Sequence, residues 1–230
     1  MARITLATFG SLGDLHPAIA LGRALQRRGH AVTLATSEPY RARLAALGLR
    51  CHALRPDLSL QDETMVRRIM DGSGGSEYLM RKLVFPVVRE MHADLSAIAA
   101  ESDLLLTSEL VCAAPLIGEQ SGRPWVFYSL SPISFFPLHD PPLLPGPPGS
   151  HFIQSLGPTA NRAYFGMAKL VSHSWWAPVR QLRRELGLPP GRSPLFEGKF
   201  SPHLNLALFS PVIQSPQPDW PAPTIQTGFL

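Results

Sequence analysis

An aspartate and a histidine two residues apart, Asp14 and His16, stand in the segment Phe9-Gly-Ser-Leu-Gly-Asp-Leu-His-Pro17. A carboxylate placed there can take a proton from a hydroxyl, and a neutral imidazole can orient a substrate or share that proton near pH 7. Glycines 10 and 13 let the backbone turn sharply, and Ser11, Gly13 and His16 are candidate substrate-binding residues. The spacing is not the G-x-G-x-x-G of a dinucleotide site. An acid stands where a pyrophosphate would approach the helix, so a phosphate directly against Asp14 would be repelled. Proline favours the first helical position, which predicts a helix opening at Pro17 with His16 as its formal cap. Asp14 would then lie two residues outside the helix, free to face a crevice. The competing structural roles are an N-cap for Asp14 and a polar loop end for His16.

The elements that must position these residues alternate along the first 132 residues. Strands are expected near 3–9, 31–36, 49–54, 103–107 and 124–130, and helices near 17–28, 39–47, 77–101 and 109–121. This pattern predicts an α/β fold, a doubly wound Rossmann-like parallel sheet whose ligands bind at the carboxyl ends of the strands. Gly29 and Gly48 follow helices where C-caps belong, and Pro39 opens a helix after Ser37. Residues 57–77, with Gly72, Gly74 and Gly75, read as a mobile loop. The helix after it carries Met80, Leu83, Val84, Val87, Val88 and Met91. The proline-rich stretch 132–158 contains Ile133, Phe135, Phe136, Leu138, Leu143 and Leu144, and long loops in compact domains are usually functional. Residues 160–188 read as helical with Trp175 and Trp176 in the core, 203–209 as a final strand, and 224–228 as an extended exit.

The 230 residues are 45% hydrophobic and 17% charged, which fits one globular domain with much buried strand and excludes a disordered chain. Two cysteines, Cys51 and Cys112, cannot build a disulfide scaffold and read as small buried thiols. The net charge of +4 is modest. Arg180, Arg183 and Arg184 share one helix and read as a solvated face, and with no nucleic-acid motif beside them nucleic acid is not an expected partner. The eight histidines show no metal-ligand spacing, so no metal is expected. The amino terminus reads as a strand and not as a leader, and no stretch reaches the roughly twenty apolar residues of a membrane span. A cytoplasmic setting is therefore expected.

The start G-S-L-G-D-L-H-P-x-x-A-L-G, followed by Leu25-Gln-Arg-Arg-Gly-His-Ala-Val-Thr-Leu-Ala35, resembles the amino-terminal half of GT-B glycosyltransferases. The likeness is to the sterol, glycopeptide and rhamnolipid types grouped in families 1 and 28. It continues through Asp103-Leu-Leu-Leu-Thr107, Gly122-Arg-Pro-Trp-Val-Phe127, Ser131-Pro132, Arg183 to Pro190, Leu206 to Pro211 and Asp219-Trp-Pro221. The resemblance implies one acceptor-binding domain over residues 1–230, with residues 132–158 as a Pro-rich acceptor loop. The glycine-rich donor motif of such an enzyme's carboxyl-terminal half is not in this sequence, so that half is expected on a further stretch of chain or another polypeptide. No cofactor is expected to be bound. The nucleotide-sugar, a co-substrate, would be held mainly by the other half.

The implied reaction is inverting transfer of a hexose from a UDP- or dTDP-sugar to a hydroxyl of a small apolar or lipid-like acceptor. A lipid acceptor would bring peripheral membrane contact. Asp14 matches the aspartate that the glycopeptide and sterol types place at the crevice floor, and so takes the role of base. Other branches place a histidine there and an aspartate after the fourth strand, where this chain has Ser108. His16 would orient the acceptor with Glu109 as its partner, the alternative for Glu109 being a first-turn acid. The sterol-type pattern often has arginine where this chain has Leu12. Phe85, Phe135 and Phe136 are the acceptor-lining candidates. Two other readings compete: a non-catalytic α/β nucleotide- or ligand-binding module, and an oxidoreductase domain, against which the missing third glycine and ribose-binding acid argue.

Overall fold

The computed structural model describes residues 1–58, 62–141 and 150–230. In chain order the first half comprises β1 (Arg3–Ala7), α1 (Leu12–Arg27), β2 (Ala31–Thr36), α2 (Arg41–Ala46), β3 (Arg50–Ala53), α3 (Glu63–Ile69), α4 (Gly75–Tyr78), α5 (Val88–Ala99) and β4 (Leu104–Thr107). There follow α6 (Ala114–Ser121), β5 (Trp125–Ser129), α7 (Ser150–Ser155), α8 (Pro158–Val171), α9 (Ala177–Glu185), β6 (Asn205–Ala207) and β7 (Thr224–Gln226). The strands form one parallel sheet in the order β3-β2-β1-β4-β5-β6-β7. This is the doubly wound arrangement expected of apolar strands separated by helices.

Alternation along each strand builds two cores. Leu6, Leu34, Leu106 and Tyr128 point to the face covered by Leu15, Ala18 and Ile19 of α1. Leu105, Trp125 and Phe127 point to the other, where Val84, Phe85, Val88, Met91 and Leu95 pack. Both faces are covered, which is why the strands read as apolar runs. In the sheet register Ala7 lies between Ala35 and Thr107. Thr8, Thr36 and Ser108 therefore emerge together at the carboxyl edge.

Several elements differ from the sequence expectation. Helix α1 opens at Leu12, five residues before Pro17, because Ser11 and Asp14 close a capping box that satisfies helix-end donors from both sides. That box holds the first turns although Pro17 removes one helical N–H. The stretch 57–77 contains α3, whose cap is Asp62, its carboxylate accepting from the N–H groups of Thr64 and Met65 at 3.0 Å. The helix expected over 77–101 is broken: a π-helical turn at Leu79–Val84 and a 3-10 turn at Phe85–Val87, carrying Pro86, precede α5. Residues 224–226 are a seventh strand, Thr224 opposite Asn205.

Arg183 is 6% exposed and not on a solvated face. Its fork donates to Glu119 at 2.6 and 2.9 Å, and it also bonds the carbonyl of Pro189. Cys51 is half-exposed because β3 is the sheet edge, whereas Cys112 is buried and its thiol is pushed up to about 12 by that burial. Trp176 is buried and Trp175 packs against the same core. Among the described residues no helix is long and apolar enough to cross a membrane.

Candidate active site

The turn between β1 and α1 wraps around the Asp14 carboxylate. Oδ2 accepts the backbone N–H of Ser11 at 2.8 Å and its hydroxyl at 3.1 Å, while Ser11 Oγ accepts the N–H of Gly13 at 3.1 Å. Asp14 is thus the third residue of the helix. Its Oδ1 receives no hydrogen bond from the described residues. Gly10 has φ +134°, and a Cβ there would collide with the Asp14 carboxylate. The Tyr40 hydroxyl donates to the Gly10 carbonyl at 3.1 Å and braces the turn from the 3-10 turn that follows β2. Burial pushes the Asp14 carboxyl up, the hydrogen bonds from Ser11 oppose that, and the charge of Glu109 adds to it, so the net direction is upward. Gly10→Ala is expected to destabilise the domain by at least about 1 kcal/mol, a Tm fall of roughly 2–4 °C. Calorimetry of this variant checks it, and an unchanged Tm would show that the turn does not need glycine.

His16 is exposed, with its Nε2 2.9 Å from a guanidinium nitrogen of Arg43 on α2. Guanidinium only donates, so His16 Nε2 is the acceptor and its proton is assigned to Nδ1. That bond spends the one ring nitrogen able to take a proton. His16 can donate to a ligand but is poorly placed to be a base.

The expected His16–Glu109 pair does not form. Glu109 accepts instead from the Ser134 hydroxyl and the Lys199 ammonium. It also lies in the turn before α6, not in a helical first turn, since that helix starts at Ala114. Burial pushes the Glu109 carboxyl up, but Lys199 and Ser134 outweigh it and hold the group below its ordinary value. Lys199 is 4% exposed, so the pair joins the turn after β4 to the segment before β6 through a nearly buried ammonium.

Near Asp14 the carboxyl edge gathers the buried hydroxyls of Thr8, Ser108 and Tyr128. The Tyr128 phenol lies beside the other two and is pushed up to about 12 by burial, so it stays a neutral donor. Tyr40, Arg43, Tyr128 and Lys199 carried no sequence signal. Each is an ordinary residue of its own element, and only the crossing of the strands gathers them.

The three phenylalanines separate. Phe85 is fully buried in the core under α5, because the apolar stripe containing it packs on the sheet and not on a ligand. Phe135 is 5% exposed, stacked on Trp220 at 4.8 Å and on Phe200 at 5.8 Å. Phe136 is half-buried with φ +47°, a conformation uncommon outside glycine that places its ring in a cavity. This cavity, about 650 Å³, runs from Phe136 and Leu138 to the residues leading into β6 and β7, with Phe165, Phe196 and Phe200 on its walls. Lys199 connects it to Glu109, its ammonium 5.0 Å from the Phe136 ring centroid. Leu143 and Leu144, also expected in the acceptor loop, lie outside the described residues.

With this sheet order and an acid-bearing turn at its carboxyl edge, the fold is the Rossmann-like amino-terminal half of a GT-B glycosyltransferase. The chain belongs to the glycosyltransferase family 28 N-terminal domain family, whose model matches residues 4–127. It is 30% identical to the O-mycaminosyltylonolide 6-deoxyallosyltransferase of Streptomyces fradiae, over 99% of this chain and 54% of that protein. To glycosyltransferase GtfE of Amycolatopsis orientalis it is 27% identical, over 87% of this chain and 47% of the relative. Among solved structures, the Streptomyces sp. SF2575 glycosyltransferase SsfS6 complexed with thymidine diphosphate superposes with a TM-score of 0.57. That match has 20% identity and covers all of this chain and 53% of the other. The chain spans about half the length of the curated relatives it matches.

Proposed function

We propose that this domain holds the acceptor and supplies the base in a nucleotide-sugar-dependent glycosyl transfer. The observation that carries the reading is the Asp14 carboxylate at the carboxyl edge of β1: one oxygen anchored on Ser11, the other without a partner, its affinity for a proton raised by burial. As the acceptor hydroxyl attacks the anomeric carbon, its proton passes to Oδ1 of Asp14 while the bond from that carbon to the diphosphate breaks. A direct displacement of this kind inverts the anomeric centre. Gly13 spends its N–H on Ser11 and Ser11 spends its hydroxyl proton on Asp14, so a donor phosphate nearby would find the His16 Nδ1–H as its contact. Thymidine diphosphate in the SF2575 neighbour supports a dTDP-sugar donor ahead of a UDP-sugar.

The acceptor's apolar body is assigned to the Phe136 cavity, whose volume suits a multi-ring small molecule. A lipid acceptor would bring the domain to a membrane surface, toward which the exposed Phe152 of α7, Leu156 just after it, and Met167 and Leu170 of α8 could turn. The test is a transfer screen in which this domain, in one polypeptide with its nucleotide-sugar half, meets dTDP- and UDP-hexoses and a panel of hydroxylated apolar acceptors. Glycosylated product detected by mass supports the reading. Acceptor binding without transfer across the panel would favour a non-catalytic module.

Burial of Asp14, with the Glu109 charge adding to it, sets an expected pH dependence. The base acts ionised, so kcat/KM should fall as pH drops through the raised Asp14 value, which places the acid limb above the ordinary carboxylate value of 3.8. In Glu109→Gln the carboxylate that raises this value is gone and the Lys199 charge is left uncompensated, so the limb should move to lower pH. A limb that stays in place would separate Asp14 from the titrating base.

A further inference from the structure

We propose that the Phe136 cavity selects a planar aromatic molecule bearing an anionic group, and hence that the acceptor is an aromatic acid or its equivalent. The inference rests on the reading of this cavity as the acceptor's pocket and names the chemistry it selects. The walls are rings: Phe136 stands 5.6 Å from Phe165 and 4.8 Å from Phe196, at tilts of 72° and 42°. Phe135 and Phe200 continue the wall. Such surfaces take a flat ring by edge-to-face or offset contact.

The charges of the lining do not cancel. Arg162, Lys169 and Arg192 face Glu197 and Asp219. Lys169 is met by Glu197, and its ammonium also lies 5.4 Å from the Phe196 ring centroid. Asp219 accepts the N–H of Leu138 at 2.6 Å through Oδ2, whereas its buried Oδ1 has no partner. Arg162 and Arg192 have no acid partner among the described residues. Both are exposed at the cavity rim, where a guanidinium fork can take a carboxylate through two parallel bonds. The cavity thus offers a slot for a ring, two guanidinium forks for an anion, and one unmet acceptor for a ligand hydroxyl or N–H. A neutral hydrocarbon would use only the first of these.

Isothermal titration of the chain with 2-naphthoate and with neutral 2-naphthalenemethanol tests this, since the two share a ring system and differ in charge. Naphthoate is expected to bind about 10-fold tighter, the effect of one charge-assisted contact pair, and this advantage should fall to less than about 2-fold in Arg162→Gln/Arg192→Gln. Phe165→Leu should weaken both probes alike, with an unchanged circular dichroism spectrum showing that the fold is kept. Equal affinity of the two probes for the unaltered chain, or an anion advantage that survives the double substitution, overturns the anionic selectivity while leaving the pocket. No binding of either probe at millimolar concentration overturns the pocket itself. Thymidine diphosphate is the third arm: naphthoate is expected to stay bound in its presence, and displacement by it would make the cavity a nucleotide site.

Discussion

Asp14→Asn is expected to lower kcat by about 10²-fold or more in the enzyme carrying both halves, the size of a lost general base. The fold should survive. The asparagine carbonyl can still accept the Ser11 N–H, so the helix keeps a cap and the stability loss should stay within about 1 kcal/mol. This combination separates the two roles that meet on one side chain. A purely structural Asp14 would give a variant with near wild-type turnover, because asparagine serves a helix start about as well as aspartate. The acceptor KM should change little, since the proton transfer occurs only in the transition state. Steady-state kinetics with a melting curve on the same preparation decide the matter: turnover within a few-fold of wild type would remove Asp14 as the base.

Adjacent phenylalanines should give opposite phenotypes. Phe135→Ala removes a ring held between Trp220 and Phe200 and edged by Phe127 and Phe209. It is expected to cost about 3–5 kcal/mol, as for large aromatic truncations in a core, and therefore to lower Tm by roughly 6–20 °C. Phe136→Ala removes a half-buried ring from the cavity wall and should leave the fold standing. Its effect should be a raised acceptor KM with an unchanged donor KM, the mark of binding lost on one side of the reaction. Melting curves and the two Michaelis constants of each single variant check the pair. Equal melting loss in both variants, or no change in acceptor KM for Phe136→Ala, would remove the distinction.

The strands of the first half are legible because burial on both faces of a parallel sheet leaves an unmistakable run, as in Ile4 to Ala7 and Trp125 to Ser129. A crossover after each such run leaves few topologies. The position of Asp14 at the carboxyl edge followed from the same logic, since the residues after β1 must emerge there. Helix α1 starts ahead of the proline signal at Pro17 because the reciprocal bonds between Ser11 and Asp14 cap an earlier turn, and the Ser-x-x-Asp spacing that permits them stands in the sequence. Residues 224–226 read as an exit because three residues carry too little pattern to show that an edge strand awaits them.

The sequence by itself determined the parallel sheet, the family and the acid at the first turn, because these rest on local periodicity and on a contiguous motif. Only the tertiary structure decided what each polar or aromatic side chain meets. Glu109 turned from His16 to Lys199, ninety residues away, and Arg43 claimed the acceptor nitrogen of His16. Phe135 is buried in the core and only borders the cavity that its half-buried neighbour Phe136 faces. The physical reason is common to all of them. A side chain's partner depends on distances across strands and between loops that the chain closes only when the sheet forms, and neighbouring residues can point into different surroundings.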